Sequence, residues 1–242
     1  MHILVLNGSP RPNGSTAAMV EAFAQGARAS GHQVEVVLVC QKKIAGCLAC
    51  EYCHTRGNGR CIQQDDMQQV YPLLEQAEMI VLASPIYYHS FTGQLQCAIN
   101  RIYALDKPGK LKKAALIMSS GSNHVYCGAI YEYQNSFLNY LGLEDMGIFS
   151  AFGQENKSET KLEELRQFGL QGLNLWREAA MEYRINRRTG DRISVLGFGT
   201  SYIANAQEKE AVATIQRAYE GGVNYYDLAT AQAKTFSYFG KA

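Results

Sequence analysis

Short apolar runs alternate with segments of helical periodicity along the first 180 residues of the chain. The apolar runs that we predict to be strands cover residues 3–6, 34–39, 79–83, 114–118 and 146–152. Between them, apolar residues recur every three or four positions, as they do in helices that cover a sheet. This alternation is typical of parallel βαβ units, so we predict an α/β fold with a doubly wound, five-stranded parallel sheet. We expect strand order 2-1-3-4-5, with a ligand beyond the carboxyl ends of the strands.

The helical segments carry start and stop signals. The first helix is predicted to begin near Ser15. Pro72 is predicted to mark a point where the second helix restarts, with the proline in the first turn of the new segment. Gly142 is predicted to end the fourth helix. Thr160 and Glu163 fit a capping box at the start of the fifth, whose apolar face is predicted to comprise Leu162, Leu165, Gly169 and Trp176.

Composition narrows the possible functions. The chain has 242 residues, of which 47% are hydrophobic, and a formal net charge of +1, so it lacks the basic footprint of a nucleic-acid-binding protein. No apolar run approaches the ~18 residues that a membrane-spanning helix needs. The N-terminus leads directly into a strand, so we expect no signal peptide and a cytoplasmic location. In that reducing compartment, the seven cysteines are expected to be ligands or redox groups.

The loop after the first strand has features of a phosphate site. It reads Asn-Gly-Ser-Pro-Arg-Pro-Asn-Gly-Ser-Thr over residues 7–16. Gly8 and Gly14 allow a close approach of the backbone, and the helix that follows offers free N–H groups to an anion. Arg11 adds a cation. The loop matches neither the P-loop nor the dinucleotide fingerprint of the Rossmann fold.

The chain resembles the NADPH-dependent FMN reductase family of flavodoxin-like proteins over residues 1 to about 180. The first loop carries the resemblance, together with a Ser-Pro-Ile-Tyr run at residues 84–87 and a Ser-Ser-Gly-Ser run at 119–122. The resemblance implies that FMN is bound, with its phosphate held by Ser9, Arg11, Ser15 and Thr16. It places Pro85, Ile86, Tyr87 and Gly93 along the flavin ring, and the full predicted set adds Asn13, Gly14, Tyr88, Ser120 and Gly121. We expect His89 and His124 to face solvent, and Cys97 and Cys127 to be packing residues.

A cysteine-rich insert, which we place at residues 40–65, follows the second strand. Cys47, Cys50, Cys53 and Cys61 supply four thiols at spacings of three, three and eight positions. The tight triple is similar to the cluster-binding run of bacterial ferredoxins, and the segment resembles the iron–sulfur flavoprotein branch of the same family. A [4Fe–4S] cluster, a loop of free thiols and a zinc site all stay open as interpretations.

The remaining residues, 181–242, read as a separate small α/β appendage. The runs at 194–200 and 221–227 resemble the start of an aldo/keto reductase, and Asp227 falls where that family places its catalytic aspartate. Gln232 stands where the family has a tyrosine, and a complete barrel needs about 250 residues. We therefore predict a flavodoxin-like FMN-binding domain at 1–180 and an incomplete reductase-like fragment at 181–242.

By resemblance, the function expected is that of an FMN-dependent oxidoreductase. It would pass electrons from NAD(P)H, a transient hydride donor, to a flavin, a quinone or a similar small acceptor; no catalytic side chain is singled out. Two other functions stay open: an iron–sulfur flavoprotein that exchanges electrons with ferredoxin, and a flavodoxin-like binding protein without turnover. The resemblance also implies a homo-oligomer.

Overall fold

The structure is a computed structural model. It describes residues 1–173 and, further along the chain, 183–185, 192–194, 198–199, 207–220, 226–227 and 237–238. The chain divides into two compact units, Met1–Trp176 and Arg177–Ala242, and each is described by itself. The predicted boundary near residue 180 remains a prediction.

Five parallel strands form the sheet of the first unit. They are β1 (His2–Asn7), β2 (Gln33–Leu38), β3 (Met79–Pro85), β4 (Lys113–Ser120) and β5 (Glu144–Phe152). Their order is β2-β1-β3-β4-β5, and all four pairings are parallel. The predicted fold class and strand order are thereby confirmed.

Helices cover both faces of the sheet. They are α1 (Ser15–Ala29), α2 (Met67–Gln76), α3 (Gly93–Ile102), α4 (Cys127–Glu132) and α5 (Glu159–Gln167). The helix that starts as α4 continues as a π-helical segment over Tyr133–Tyr140, and a second one, Phe168–Gly172, follows α5. Gly142, with a φ of 70°, follows the first of these segments, where a helix end was predicted.

Two apolar clusters, one on each face, hold the sheet between the helices. One joins the inward residues of α1 and α5 to the sheet, and the aromatic rings of Phe23 and Phe168 stack there at 5.3 Å. A Cβ at Gly169 would lie 2.2 Å from the carbonyl oxygen of Phe23, so the absence of a side chain lets these two helical segments touch. The other cluster packs α2, α3 and α4 on the opposite face.

Two predicted helix signals are wrong. Pro72 lies inside α2 and does not restart it. It sits on the exposed side of the helix, so the loss of one intrahelical hydrogen bond there leaves the packed face undisturbed. The N-cap of α5 is Ser158, whose hydroxyl accepts a hydrogen bond from the backbone N–H of Lys161 at 3.2 Å, so Thr160 lies within the helix.

The described residues of the second unit form short elements. β6 (Tyr183–Ile185) pairs with β7 (Arg192–Ser194) antiparallel, and β8 (Phe198–Gly199) pairs with β9 (Tyr226–Asp227) parallel. The helix predicted around Val212 and Ile215 is α6 (Glu208–Glu220). The predictions made for Trp176 and Gln232 lie outside the described residues.

Candidate functional site

A cavity of about 260 Å³ opens at the carboxyl ends of β1, β3 and β4. The ends of these neighbouring strands and the loops that follow them build its walls, as expected at the switch point of a doubly wound sheet. Its lining comprises Ser9, Arg11, Gly14, Ser15, Thr16, Pro85, Ile86, Tyr87, Ser119, Ser120, Gly121, Gly153 and Asn156. We call this cavity the sheet-end pocket.

The loop between β1 and α1 is held in shape by its own hydrogen bonds. The Ser9 N–H donates to Oδ1 of Asn7 at 2.9 Å, and the Gly14 N–H donates to the carbonyl of Arg11 at 3.0 Å. A Cβ at Gly14 would lie 2.9 Å from that of Arg11, so this turn needs a glycine. Within the described residues, no side chain caps α1, and its first two residues, Ser15 and Thr16, line the sheet-end pocket. Such an end favours an anion.

Two buried contacts fasten this loop to its neighbours. The hydroxyls of Thr16 and Ser119 lie 2.7 Å apart, which joins the start of α1 to the end of β4. The Thr92 hydroxyl donates to the carbonyl of Gly8 at 2.9 Å, and a Cβ at Gly8 would lie 2.6 Å from that hydroxyl oxygen. The pocket is therefore part of the core framework and does not depend on a loose surface loop.

The far wall of the pocket contains residues that sequence reasoning missed. Nδ2 of Asn156 donates to the carbonyls of Ser120 and Gly153 at 2.8 and 2.9 Å. Its Oδ1 is buried and, among the described residues, has no hydrogen-bond partner. A buried acceptor of this kind needs a donor, which a bound ligand can supply. Asn156 lies after β5, outside the motifs that carried the family resemblance, so only the strand order predicts that it comes near.

Three residues of the predicted flavin set lie outside the lining. Asn13 is exposed beside the pocket, and its carbonyl accepts a hydrogen bond from Nζ of Lys157 at 2.9 Å. Tyr88 is 101% exposed, and Gly93 is the first residue of α3 with open space around it. The other ten predicted residues line the sheet-end pocket. Their assignment as flavin contacts remains a proposal.

The cysteine insert forms a second pocket, which lies beside α3. All four predicted thiols, those of Cys47, Cys50, Cys53 and Cys61, belong to its lining, and its volume is about 10 Å³. Cys53 is buried, and burial raises the pKa of its thiol. In the described part of the chain, no three or more Cys, His, Asp or Glu side chains lie in an arrangement that could hold a metal ion.

Arg101 fastens both ends of the insert. Its side chain is 1% exposed, and it donates to the carbonyl of Ala45 at 3.0 Å and to both carboxylate oxygens of Asp65 at 2.7 and 3.2 Å. Burial alone raises the pKa of Asp65, but hydrogen bonds from Arg101 and from the N–H groups of Ala45 and Met67 outweigh it and hold that pKa below its ordinary value. Nothing in the sequence pattern marked this arginine as part of the insert.

Nε of Arg101 is a donor without a partner. It is buried and, within the described residues, makes no hydrogen bond, and Arg101 itself lines the cysteine pocket. A buried guanidinium donor seeks an acceptor. A thiolate, or a sulfur ligand that carries negative charge, is the kind of acceptor this pocket can offer.

The sheet topology and the pocket at its carboxyl ends define a flavodoxin-like protein. The sequence model of the family described as NADPH-dependent FMN reductase matches residues 1–157. The chain belongs to this family, which confirms the predicted class of oxidoreductase.

Several curated proteins are similar to this chain in sequence. An iron–sulfur flavoprotein of Archaeoglobus fulgidus is 33% identical over 151 residues, which cover 60% of this chain and 66% of that protein. An iron–sulfur flavoprotein of Methanocaldococcus jannaschii is 35% identical over 105 residues, which cover 43% of this chain and 52% of that protein. The chain thus spans from about half to just under two thirds of the length of these relatives.

Among solved structures, an NAD(P)H:quinone oxidoreductase from Methanothermobacter marburgensis has the same fold. It superposes with a TM-score of 0.53 at 19% identity and covers 70% of this chain and 94% of that one. The resemblance of residues 181–242 to an aldo/keto reductase is shown by none of these comparisons. In the part of the chain that the structure describes, no helix combines the length and the apolar character needed to cross a bilayer.

Proposed function

We propose that this chain binds FMN in the sheet-end pocket and transfers electrons from NAD(P)H to a small acceptor such as a quinone. Family membership supports the cofactor and the donor, and the activity named for the NAD(P)H:quinone oxidoreductase with the same fold motivates the choice of acceptor. The observation that carries the proposal is the joint presence of an uncapped helix start and the unpartnered Oδ1 of Asn156 in one cavity.

The lining fits FMN in chemistry as well as in position. The hydroxyls of Ser9, Ser15 and Thr16 and the side chain of Arg11 would hold the phosphate, at the end of the pocket where α1 begins. The apolar surfaces of Pro85, Ile86 and Tyr87, together with the backbone of Gly121, would lie against the flavin ring. Oδ1 of Asn156 would accept a hydrogen bond from an O–H or N–H of the cofactor.

FMN, when bound, supplies the hydride and electron transfer, and the protein supplies position and electrostatics. Ile86 is held rigidly for this task because its N–H donates to the carbonyl of Ser119 at 2.9 Å. Tyr126 donates from its hydroxyl to the carbonyl of Ala151 at 2.8 Å and lies 2.7 Å from the Ser120 hydroxyl, which fixes the opposite wall. None of these side chains is required to act as an acid or a base.

The proposal is tested by an anaerobic visible spectrum followed by turnover. Purified protein, supplied with FMN if needed, is mixed with NADPH or NADH, and the loss of the flavin bands and the reduction of a quinone are recorded. Bleaching and quinone-dependent NAD(P)H oxidation are expected. Bound flavin that neither nucleotide reduces would favour an electron carrier or a binding protein without turnover.

A second candidate function is that of an iron–sulfur flavoprotein that exchanges electrons with ferredoxin. It is favoured by the four thiols of the cysteine pocket, by the unpartnered Nε of Arg101 and by the sequence similarity to the iron–sulfur flavoproteins. Four cysteine thiols are the right ligands for a [4Fe–4S] cluster. In the described residues, however, no three of them are close enough together to hold a metal ion. We therefore propose a cluster that orders the insert when it binds, and we derive no step through it.

Analysis of iron and acid-labile sulfide in anaerobically reconstituted protein decides this point. About four of each per chain are expected for a cluster of this type, and a Cys50→Ser variant should lose them. Zinc without sulfide would assign the thiols to a zinc site, and no metal would leave a loop of free thiols. A homo-oligomer and a cytoplasmic location remain part of the proposal.

For residues 181–242 we propose an appendage without chemistry of its own. Asp227, the residue that matches a catalytic aspartate of the aldo/keto reductases, lies in the short strand β9. Deletion of residues 182–242 should leave flavin-dependent turnover intact. A loss of turnover in a variant that still folds and binds FMN would show that the appendage contributes to the reaction.

A further inference from the structure

An exposed thiol and an exposed imidazole meet beside the sheet-end pocket. Sγ of Cys127 lies 3.8 Å from Nδ1 of His89, within hydrogen-bond reach for sulfur. Cys127 was predicted to be a packing residue, but it is exposed at the start of α4. His89 faces solvent as predicted, yet it has this partner 38 positions away in sequence.

The backbone around the pair is held in an uncommon conformation. Tyr88 and His89 have φ values of 49° and 65°, and they form the centre of a tight turn closed by two hydrogen bonds of 3.1 Å between Tyr87 and Ser90. Two consecutive left-handed residues without glycine are costly, so surrounding contacts must hold them in place. This arrangement points the imidazole toward α4.

The start of α4 supplies those contacts. The Ala129 N–H donates to the carbonyl of His89 at 3.2 Å. A Cβ at Gly128 would lie 2.4 Å from that carbonyl oxygen, so only a glycine allows the turn and the helix to approach this closely. The two residues that follow Cys127 thus fix its position against His89.

The pair spans two loops that build the sheet-end pocket. Tyr87, at the beginning of the turn, lines that pocket, and so does Ser120, whose hydroxyl lies 2.7 Å from the hydroxyl of Tyr126. His89 is therefore two positions from Tyr87, which lines the pocket. Cys127 is next to Tyr126, which contacts the pocket wall at Ser120.

The remaining thiols have different surroundings. Cys40 is half-buried, its Sγ–H donates to the carbonyl of Gly8 at 3.0 Å, and burial raises the pKa of its thiol. Such a thiol is a poor nucleophile. Cys47 and Cys50 are exposed, but they belong to the cysteine pocket on the insert. Cys127 is the exposed thiol that has an imidazole as its neighbour.

We propose that Cys127 and His89 form a reactive thiol–imidazole site that accepts soft electrophiles, with α,β-unsaturated carbonyl compounds as the ligand class. His89 takes the thiol proton, and the sulfur forms a bond to the β-carbon as the carbon–carbon double bond breaks. The proton then returns to the α-carbon, so the adduct contains every atom of both reactants and no external oxidant is needed. The reaction as written requires no flavin.

The probe is N-ethylmaleimide, an unsaturated carbonyl compound, at limiting concentration. Peptide mass spectrometry follows the adduct at each cysteine of the full-length chain over time. Cys127 is expected to react faster than Cys40, the internal reference in the same sample. In a His89→Asn variant, where asparagine retains the left-handed backbone, the rate at Cys127 should fall on the order of tenfold or more.

His124→Asn is the matched control, because His124 is also an exposed histidine with a positive φ, 62°, in the neighbouring loop. It should leave the rate unchanged. Gly128→Ala is a second route, because it keeps both side chains and displaces the turn, and it too should slow labelling at Cys127. A rate at Cys127 no faster than at Cys40, or one unaffected by His89→Asn and Gly128→Ala, would overturn the proposal.

Discussion

The sheet-end pocket and the cysteine pocket differ in how each is held. The first is built from the ends of the central strands, is fastened by buried hydroxyls such as those of Thr16 and Ser119, and keeps a cavity of about 260 Å³. The second is closed to about 10 Å³ and is anchored at its two ends by Arg101. One site is formed by the ends of the sheet strands, whereas the other lies in an insert whose Ala45 and Asp65 are joined to α3 through the buried Arg101.

This difference predicts different behaviour on ligand binding. A framework that is already formed pays little ordering entropy, so the sheet-end pocket should bind its ligand without a large structural change. The cysteine insert must rearrange before three sulfur atoms could share a metal, so binding there should be coupled to local ordering.

Replacement of Arg101 by methionine should have the largest effect. The change leaves the Asp65 carboxylate and the Ala45 carbonyl without their main partner. Because Asp65 is 18% exposed, we expect a cost of about 3 kcal/mol, the low end of the range for breaking a buried pair. Urea unfolding measures the loss. Arg28→Met is the control, since that side chain makes an exposed hydrogen bond to the carbonyl of Val34. Equal stability of the two variants would refute the anchoring role.

Removal of the Thr16 hydroxyl should have the next largest effect. Thr16→Val keeps the shape of the side chain but leaves the buried Ser119 hydroxyl without its partner, at a cost of about 1–3 kcal/mol. Thr160→Val, at an exposed position of α5, should stay within about 0.5 kcal/mol of the parent. If Thr16→Val weakens FMN binding and Thr160→Val does not, the lost hydrogen bond also supports the sheet-end pocket. A stability unchanged by Thr16→Val would mean that the two hydroxyls do not support each other.

The anchor should also give the stability a pH dependence. The pKa of Asp65 is depressed in the folded state, so its contribution is present above the unfolded-state value of about 3.9 and is lost as the pH falls through the folded-state pKa. The free energy of unfolding should therefore decrease as the pH is lowered from about 5. Asp65→Asn should flatten this part of the profile, which urea unfolding at a series of pH values would show. An unaltered slope would assign the acid sensitivity to other carboxylates.

Truncation of Tyr88 should have the smallest effect on the flavin site. Tyr88 is fully exposed and lies outside the lining of the sheet-end pocket. Tyr88→Ala should change the FMN dissociation free energy by less than about 0.5 kcal/mol, as is usual for surface changes. Fluorescence titration with FMN measures this. A larger decrease in the FMN dissociation free energy would show that Tyr88 contacts the flavin, as the family resemblance implied.

Most of the strands and the strand order could be predicted from sequence, because parallel strands buried on both faces leave continuous apolar runs such as 79–83. The phosphate loop was also predictable, since its glycines and hydroxyls are consecutive. Asn156 and the pairing of Cys127 with His89 were not, because each depends on distant segments that the fold brings together. Pro72 misled because its effect depends on which side of the helix faces water.

Binding of FMN in the sheet-end pocket is tested most directly by blocking that pocket. A Cβ at Gly121, which lines that pocket, meets nothing within 4 Å, so we expect the protein to accept Gly121→Phe and the added ring to obstruct the pocket. Gly109, outside the lining, has equally open space at its Cβ and serves as control. FMN fluorescence is titrated with the parent chain and both variants. We predict saturable quenching by the parent and Gly109→Phe and none by Gly121→Phe. Equal quenching by all three proteins, or none by the parent, would contradict the account.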